Sequence, residues 1–347
     1  MPTPTTNRLL LCALLALSTP CRAADKSRTL PEGVDVKTHF GWPNCLVLEA
    51  ADPEVRAIVA PAVGGRIVHY SLKGGNIIFE NPGSEGKTLA NTKDVFWVGG
   101  YQCDLGPELR GIPDHKMLWA GQYEGAARKD YTATVISEPD AALGIQTGKE
   151  IVIDPEAGHL GIMQWMKNVS DKETSFCFWD RTLCKGGGFV FFPLNKKSRF
   201  PAKWSIRSKI DEQYVYDGKR PESPNVKVID DVLVAKTTGS ATKVGADSDA
   251  GWIAYARDRI LFVKYFPYDP KGNYMDGGNS VELYFDQSVA ELEPLGPEVK
   301  LNPGQTGSFP EQWVLIPLKK SITTFEEARA LVRHVPRSPF KGAVRRK

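Results

Sequence analysis

Two glutamates, Glu291 and Glu293, stand two residues apart in a short apolar run near the end of the chain. The turn-forming sequence PLGP (294–297) ends this run. In a strand, residues i and i+2 point to the same face, which places the two carboxylates roughly 7 Å apart on one side. Burial raises the pKa of a carboxylate, and such a group is a useful base near neutral pH. The segment therefore predicts an acid–base or ligand-binding site, with a solvated strand face as the ordinary alternative.

The segments that must position these residues alternate apolar and polar side chains with a period of two. Together with 32 Gly and 25 Pro, this pattern indicates antiparallel strands joined by tight turns. Helical periodicity is nearly absent until residues 324–334, where the capping-box sequence TFEE precedes an apolar run. We predict an all-β fold, one large antiparallel β-sandwich with a short C-terminal helix. The predicted strands are 45–50, 55–61, 65–72, 131–137, 160–170, 259–266 and 308–318.

The composition and the charge distribution limit the classes of protein to which this chain can belong. Of the 347 residues, 41% are hydrophobic and 24% are charged, which is ordinary for a globular protein with a large core. The formal net charge is +3, but residues 319–347 contribute +7 and residues 1–23 contribute +2, so the body between them carries −6. A nucleic-acid-binding domain would present a basic face, so this charge distribution argues against that class.

The N-terminus has the pattern of a secretion signal. Arg8 precedes the short apolar run 9–17, and Cys-Arg-Ala before residue 24 suits signal peptidase, so we expect cleavage after Ala23. The apolar run is too short to span a bilayer, and we predict no membrane span. We expect a secreted or periplasmic protein. Its β-sandwich domain should cover residues 31–318, and residues 319–347 should form the C-terminal helix and a basic tail.

Four cysteines remain after the predicted signal. An oxidising compartment allows up to two disulfides among them, and the short separation of Cys177 and Cys184 makes that pair a candidate. No CxxC spacing or His/Cys cluster indicates zinc, so we predict no metal and no cofactor. The four are Cys45, Cys103, Cys177 and Cys184.

Several motifs, in this order, resemble galactose mutarotase-like proteins. The sequence GGRI (64–67), followed by a strand, a turn and Asn81-Pro82, resembles the opening of those domains. The sequence ELEPLGPEVKLNPG (291–304), followed by EQWVLIP, resembles their close. WDRT (179–182) before three glycines is similar to an uncharacterised, often secreted bacterial family within that superfamily. The resemblance covers roughly residues 40–318 and implies a β-supersandwich with a sugar-binding concave face.

The resemblance also implies roles for single residues. Glu293, within Leu-Glu-Pro, falls where mutarotases hold the glutamate that takes the proton of the anomeric hydroxyl. Their general acid is a histidine in a mid-domain strand, but the comparable stretch here (175–188) contains none. We predict His115 as the acid, because it lies in a Gly- and Pro-rich loop beside Trp119. A surface histidine is the alternative. No catalytic role is predicted for His39, His69, His159 or His334.

The other candidate residues suit a hydroxyl-rich ligand. Indole faces stack on the C–H face of a sugar ring, although core packing is the common role of a tryptophan. Arg181 would donate paired hydrogen bonds, with an internal ion pair as its alternative. Asp180 and Arg181 should face opposite sides of a regular strand. The predicted substrate-binding residues are Arg66, Trp119, Trp179, Asp180, Arg181 and Glu291.

These observations predict a secreted protein that binds a sugar or a polysaccharide-derived ligand, with or without an aldose 1-epimerase-like isomerase activity. Two alternatives stay open. One is a lyase or hydrolase that uses Glu293 with Asp180 or Glu291 as a carboxylate pair, and the other is a non-catalytic β-sandwich of the cell envelope. The sequence names neither the sugar nor the oligomeric state.

Overall fold

A computed structural model describes residues 29–52, 54–92, 96–111 and 115–340, so the predicted secretion signal lies outside the described residues. The described chain forms two antiparallel sheets of thirteen and ten strands. The strands are β1 (Val34–His39), β2 (Trp42–Ala50), β3 (Val55–Ala60), β4 (Arg66–Leu72), β5 (Gly75–Asn76), β6 (Tyr101–Gly106), β7 (Tyr123–Lys129), β8 (Thr132–Ser137), β9 (Ile145–Ile153), β10 (Leu160–Asn168), β11 (Thr174–Lys185), β12 (Phe189–Pro193), β13 (Ser205–Ile210), β14 (Gln213–Asp217), β15 (Val226–Ile229), β16 (Val232–Lys236), β17 (Thr242–Ala246), β18 (Trp252–Arg257), β19 (Ile260–Tyr265), β20 (Val281–Phe285), β21 (Val289–Pro294), β22 (Val299–Leu301) and β23 (Thr306–Pro317). The helices are α1 (Lys116–Ala120) and α2 (Phe325–Ala330), with 3₁₀ turns at Pro61–Val63, Pro82–Ser84 and Leu331–His334.

The larger sheet has the order β1-β2-β3-β4-β6-β11-β21-β20-β17-β13-β14, with β5 paired to β4 and β22 to β11. The smaller sheet has the order β15-β16-β12-β18-β19-β23-β10-β9-β8-β7. Strand β21, which carries the paired glutamates, therefore lies in the interior of the larger sheet, between β11 and β20. The predicted all-β sandwich is confirmed.

The main core lies between the two sheets. Phe178 and Leu292 of the larger sheet pack in it with Ile151 and Trp313 of the smaller sheet. Burying apolar area on this scale is the main stabilising term of such a fold, at about 25 cal/mol per Å².

The outer face of the smaller sheet is covered by the C-terminal segment. Leu331 and Val332 pack there against residues of β12 and β19. Helix α2 begins after Thr324, whose side chain accepts a hydrogen bond from the backbone N–H of Glu327 at 3.1 Å. The N-cap at Thr324 therefore forms as predicted, whereas the Glu327 carboxylate accepts from the backbone N–H of Thr323 at 2.9 Å. The short C-terminal helix is confirmed. No helix in the described part of the chain has the length and apolar character needed to cross a bilayer.

All four cysteines of the described chain are free thiols. Cys177 and Cys184 both lie on strand β11, seven residues apart. A strand rises about 3.3 Å per residue, so their Cα atoms are roughly 23 Å apart, whereas a disulfide needs about 4.4–6.8 Å. The sequence suggests a short loop between them, but the continuous strand excludes this bridge.

Candidate functional site

Strand β21 divides its side chains between the two faces of the larger sheet. Ala290 and Leu292 point into the core between the sheets. Glu291 and Glu293 alternate with them and point to the outer face, as the spacing predicts. Both are buried, with Glu293 fully removed from solvent. The outer face is therefore secluded at this point, which is the condition for a perturbed carboxylate.

Glu293 is anchored through one of its two carboxylate oxygens. Its Oε2 accepts hydrogen bonds from Trp179 Nε1 at 2.6 Å and from Lys243 Nζ at 2.9 Å. Its Oε1 is buried and meets no hydrogen-bond donor among the described residues. Burial raises the pKa of Glu293, and the charge of Lys243 opposes part of that rise. The carboxylate is thus held in place with one oxygen left to accept a proton.

Lys243 gathers three carboxylates around a single ammonium group. Besides Glu293, its Nζ lies 2.8 Å from Glu108 and 3.3 Å from Glu282, and 4.6 Å from the centre of the Trp179 ring. Burial alone would lower the pKa of Lys243, but the three carboxylates outweigh it and raise that pKa. Burial raises the pKa of Glu282 to about 8.

Lys243 and Glu282 also belong to this cluster, although neither is among the residues predicted from the sequence. Their signal is a charged residue inside an apolar strand, in TKVGA (242–246) and VELYF (281–285). The register then brings them to β21, because Glu282 pairs with Glu293 and Lys243 lies on the next strand outward.

A second chain of charges runs from Glu291 to His115. Glu291 Oε2 accepts from Arg181 Nε at 3.2 Å and from Nη2 at 3.1 Å. Arg181 Nη1 lies 3.4 Å from Asp104 Oδ2, and Asp104 Oδ1 lies 2.7 Å from His115 Nε2. Burial alone would raise the pKa of Asp104, but His115 and Arg181 bring it below its ordinary value. This chain joins the loop histidine to β21 through the side chains of β6 and β11.

Arginine and tryptophan side chains form the wall beside these charges. The Arg181 guanidinium lies 4.9 Å from the Trp179 ring centre and 5.8 Å from that of Trp119. Arg66 donates to the carbonyl of Gly99 at 3.1 Å and to that of Trp119 at 2.9 Å. The Arg66 side chain therefore holds the backbone at Gly99 and Trp119 in position. Burial lowers the pKa of Arg66 to about 9. A cavity of about 290 Å³ opens here, lined in part by Arg66, Trp97, Gln102, Trp119 and Arg181.

Asp180 lies apart from the other predicted residues. It alternates with Trp179 and Arg181 on β11 and points between the two sheets, fully buried. There it accepts from Gln164 Nε2 at 2.9 Å and forms an ion pair with Lys264. It cannot touch a ligand on the outer face, because the sheet itself intervenes. The other predicted residues are linked by the contacts described above, and three of them, Arg66, Trp119 and Arg181, line the cavity.

No protein-family model matches the chain, and no curated protein matches it either. Solved structures do match. A galactose mutarotase-like protein from Lactobacillus casei aligns with a TM-score of 0.52 and 11% identity, over 78% of this chain and 100% of that one. A galactose mutarotase-like protein from Clostridium acetobutylicum aligns with a TM-score of 0.52 and 10% identity, over 82% and 98%. The chain has the galactose mutarotase-like fold.

A third match is a galactose mutarotase related enzyme from Lactobacillus acidophilus, with a TM-score of 0.51 and 9% identity, over 81% of this chain and 100% of that one. The fold implied by the motifs is thereby confirmed. At such low identity the likeness shows the mutarotase-like fold alone, and one fold hosts many functions. The function must therefore be argued from the residues of the site.

Proposed function

We propose that the protein binds a sugar on the outer face of the larger sheet, and that Glu293 acts there as the general base of an aldose 1-epimerase-like reaction. The observation that supports this most directly is the buried Glu293 carboxylate. Trp179 and Lys243 hold its Oε2, while Oε1 meets no donor among the described residues. A buried oxygen without a partner is costly, and a ligand hydroxyl would satisfy it.

The neighbouring cavity has the composition of a sugar site. Trp97 is 46% exposed there, and an exposed indole face suits the C–H face of a pyranose ring. Arg181 and Gln102 supply donors and acceptors for hydroxyls at the same cavity. Its volume of about 290 Å³ is close to the roughly 300 Å³ at which the usual range of small-molecule sites begins. A monosaccharide therefore suits it better than a long oligosaccharide.

Anomer interconversion needs one base and one acid. The Glu293 carboxylate takes the proton of the C1 hydroxyl while His115 gives a proton to the ring oxygen, so the C1–O5 bond breaks and the open aldehyde forms. The aldehyde turns about C1–C2, and the reverse steps close the ring on its other face and restore both protons. Asp104 Oδ1, 2.7 Å from His115 Nε2, holds the imidazole ring in position for this step.

The arrangement supports a hydrolase less well. A hydrolase needs a second carboxyl group that can act on the substrate. Glu291 is engaged by two hydrogen bonds from Arg181, and Asp180 lies on the other side of the sheet. Neither is placed as the partner of Glu293.

The test is polarimetry on several freshly dissolved aldoses. We expect the wild-type protein to speed the approach to anomeric equilibrium, and Glu293→Gln to return the rate to that of buffer, because the amide cannot accept the proton. Glu156→Gln, at an exposed turn, is the matched control and should keep the wild-type rate. Circular dichroism of each variant checks the fold. A wild-type protein no faster than buffer on every aldose would contradict the epimerase activity.

Sugar binding is tested separately from catalysis. We expect monosaccharides to quench the tryptophan fluorescence of the wild-type protein, and Trp97→Ala to weaken binding by about 0.5–1.5 kcal/mol through lost stacking. A glycan array with no binder, together with unchanged fluorescence, would overturn the binding proposal and favour a non-catalytic envelope role.

We also propose that the protein acts outside the cytoplasm after residues 1–23 are removed. The supporting observation is the short apolar run and small-residue cleavage sequence at the N-terminus. Mass spectrometry of the protein recovered from its native host should give Ala24 as the first residue, and a cytoplasmic protein with an intact N-terminus would contradict this proposal.

A further inference from the structure

Two histidines converge on one glutamate away from the candidate sugar site. His39 Nε2 lies 2.8 Å from Glu80 Oε1, and His69 Nδ1 lies 3.2 Å from the same oxygen. The two imidazole rings stand edge to face with their centres 5.5 Å apart. One nitrogen of each ring and one carboxylate oxygen all lie within 4.8 Å of one another.

Local irregularities of the sheet aim these side chains. On β4, His69 pairs with Ile58 of β3 while Ile67 pairs with Val59, so Val68 is an extra residue in the ladder. On β1, the register with β2 also shifts just before His39. Extra residues of this kind re-aim side chains and often lie beside functional sites.

We propose that His39, His69 and Glu80 form a binding site for a divalent transition metal, with Zn²⁺ as the best fit. Two imidazoles and one carboxylate are a ligand set that zinc takes, leaving a fourth position for water. Ligand atoms about 2.05 Å from a tetrahedral ion lie about 3.3 Å from one another. The two nitrogen–oxygen separations are 2.8 and 3.2 Å, and the two nitrogens lie within 4.8 Å of each other, so side-chain rotations would bring the three atoms to that geometry.

Access and charge also suit a cation. The side chains of His39, His69 and Glu80 are 24%, 17% and 22% exposed. An ion can therefore enter the site and keep a water molecule on its open side. A second cluster consists of three carboxylates whose oxygens also lie close together, those of Glu108, Asp276 and Glu282. There, however, the Lys243 ammonium already lies against two of the three carboxylates. The histidine cluster therefore carries the proposal.

This metal site is separate from the proposed sugar site, but the backbone connects the two. Glu80 pairs with Gly99 in an isolated bridge, and the Gly99 carbonyl accepts from Arg66. A bound ion would brace the segment that forms one wall of the sugar cavity. It would supply no group to the proposed reaction.

The experiment uses tag-free full-length protein treated with EDTA and then dialysed. Isothermal titration with ZnCl₂ should show one Zn²⁺ per chain, and Co²⁺ should give the visible absorption of a low-coordinate site. Mg²⁺ should give no signal, because nitrogen ligands favour borderline metals over hard ones. Zinc should also raise the melting temperature, since a ligand that binds only the folded state stabilises it.

His69→Asn and Glu80→Gln should each weaken zinc binding by more than the roughly 10–100-fold that loss of an outer-shell partner costs. His159→Asn is the matched control, because this half-buried histidine contacts Gln312 and belongs to no such cluster of described residues. If a variant does not fold, the Co²⁺ spectrum of the wild-type protein still decides the question. No zinc heat and no Co²⁺ band in the wild-type protein, or equal loss in His159→Asn, would overturn the proposal.

Discussion

At the scale of single residues, Lys243 decides the electrostatics of the candidate site. Its ammonium lies within 3.3 Å of Glu108, Glu282 and Glu293, three carboxylates that would otherwise repel one another in a buried place. Two of these contacts are hydrogen bonds, whereas Glu282 Oε2 meets no donor in hydrogen-bonding geometry in the described part of the chain. Burial raises the pKa of Glu282 to about 8, so this carboxylate takes up a proton at a higher pH than an ordinary glutamate does.

The raised pKa of Glu282 predicts a pH dependence of stability. Its pKa is about 8 in the folded protein and 4.5 ordinarily, so between these values the folded state holds more protons than the unfolded state. The contribution of Glu282 to the free energy of unfolding is fully present below pH 4.5. This contribution is lost as the pH rises through about 8. We expect Glu282→Gln, which cannot lose a proton, to flatten the decline measured by urea unfolding from pH 5 to 8.

The glutamine in this variant still accepts from Asn279, which donates to Glu282 Oε1 at 3.0 Å. Glu156→Gln, on the surface, should keep the wild-type slope. An equal slope in Glu282→Gln and in the wild-type protein would contradict the assignment of this titration to Glu282.

At the scale of elements, strand β11 shows how a strand serves two purposes. Trp179 and Arg181 face the candidate site, while Asp180 and Thr182 face the space between the sheets. Alternation of this kind is set within the strand and is readable in the sequence. The residues that contact each face cannot be read from the sequence in this way, because they lie on the strands β6, β17, β19 and β21.

The N-terminal cap of helix α2 should contribute measurably to the stability of the protein. Thr324→Ala removes the side chain that caps α2 and should lower the free energy of unfolding by about 0.5–2 kcal/mol. Ser321→Ala, at an exposed position before the helix, should change it by less than about 0.5 kcal/mol. The measurement is the urea midpoint at constant m-value. Equal effects of the two substitutions would show that the cap does not stabilise the helix.

At the scale of the whole molecule, a buried polar network joins the two sheets. Lys264 of the smaller sheet forms an ion pair with Asp180 of the larger sheet and donates to Thr182 at 2.6 Å. Gln164 donates to Asp180 and accepts from Tyr101 at 2.9 Å each. Each member is fully buried, so the network satisfies polar groups that would be costly alone.

This network predicts a strong coupling between its charged members. Lys264→Met leaves Asp180 buried without its cation and should cost about 3–5 kcal/mol. Asp180→Asn together with Lys264→Met should cost less than the sum of the two single changes, by about 0.5–3 kcal/mol. A double-mutant cycle by urea unfolding measures this difference. Additive effects would mean that the pair does not act as a unit.

The sequence by itself determined the class of fold, the strand periodicity, the C-terminal helix and the shared face of Glu291 and Glu293. These features depend on residues near one another in the chain, so their physical cause is local. Only the tertiary structure decided which charged groups meet. Lys243 reaches Glu293 from 50 residues away, Trp179 from 114, and His39 reaches Glu80 from 41. Sheet order and register set such meetings, and both depend on how the whole chain packs.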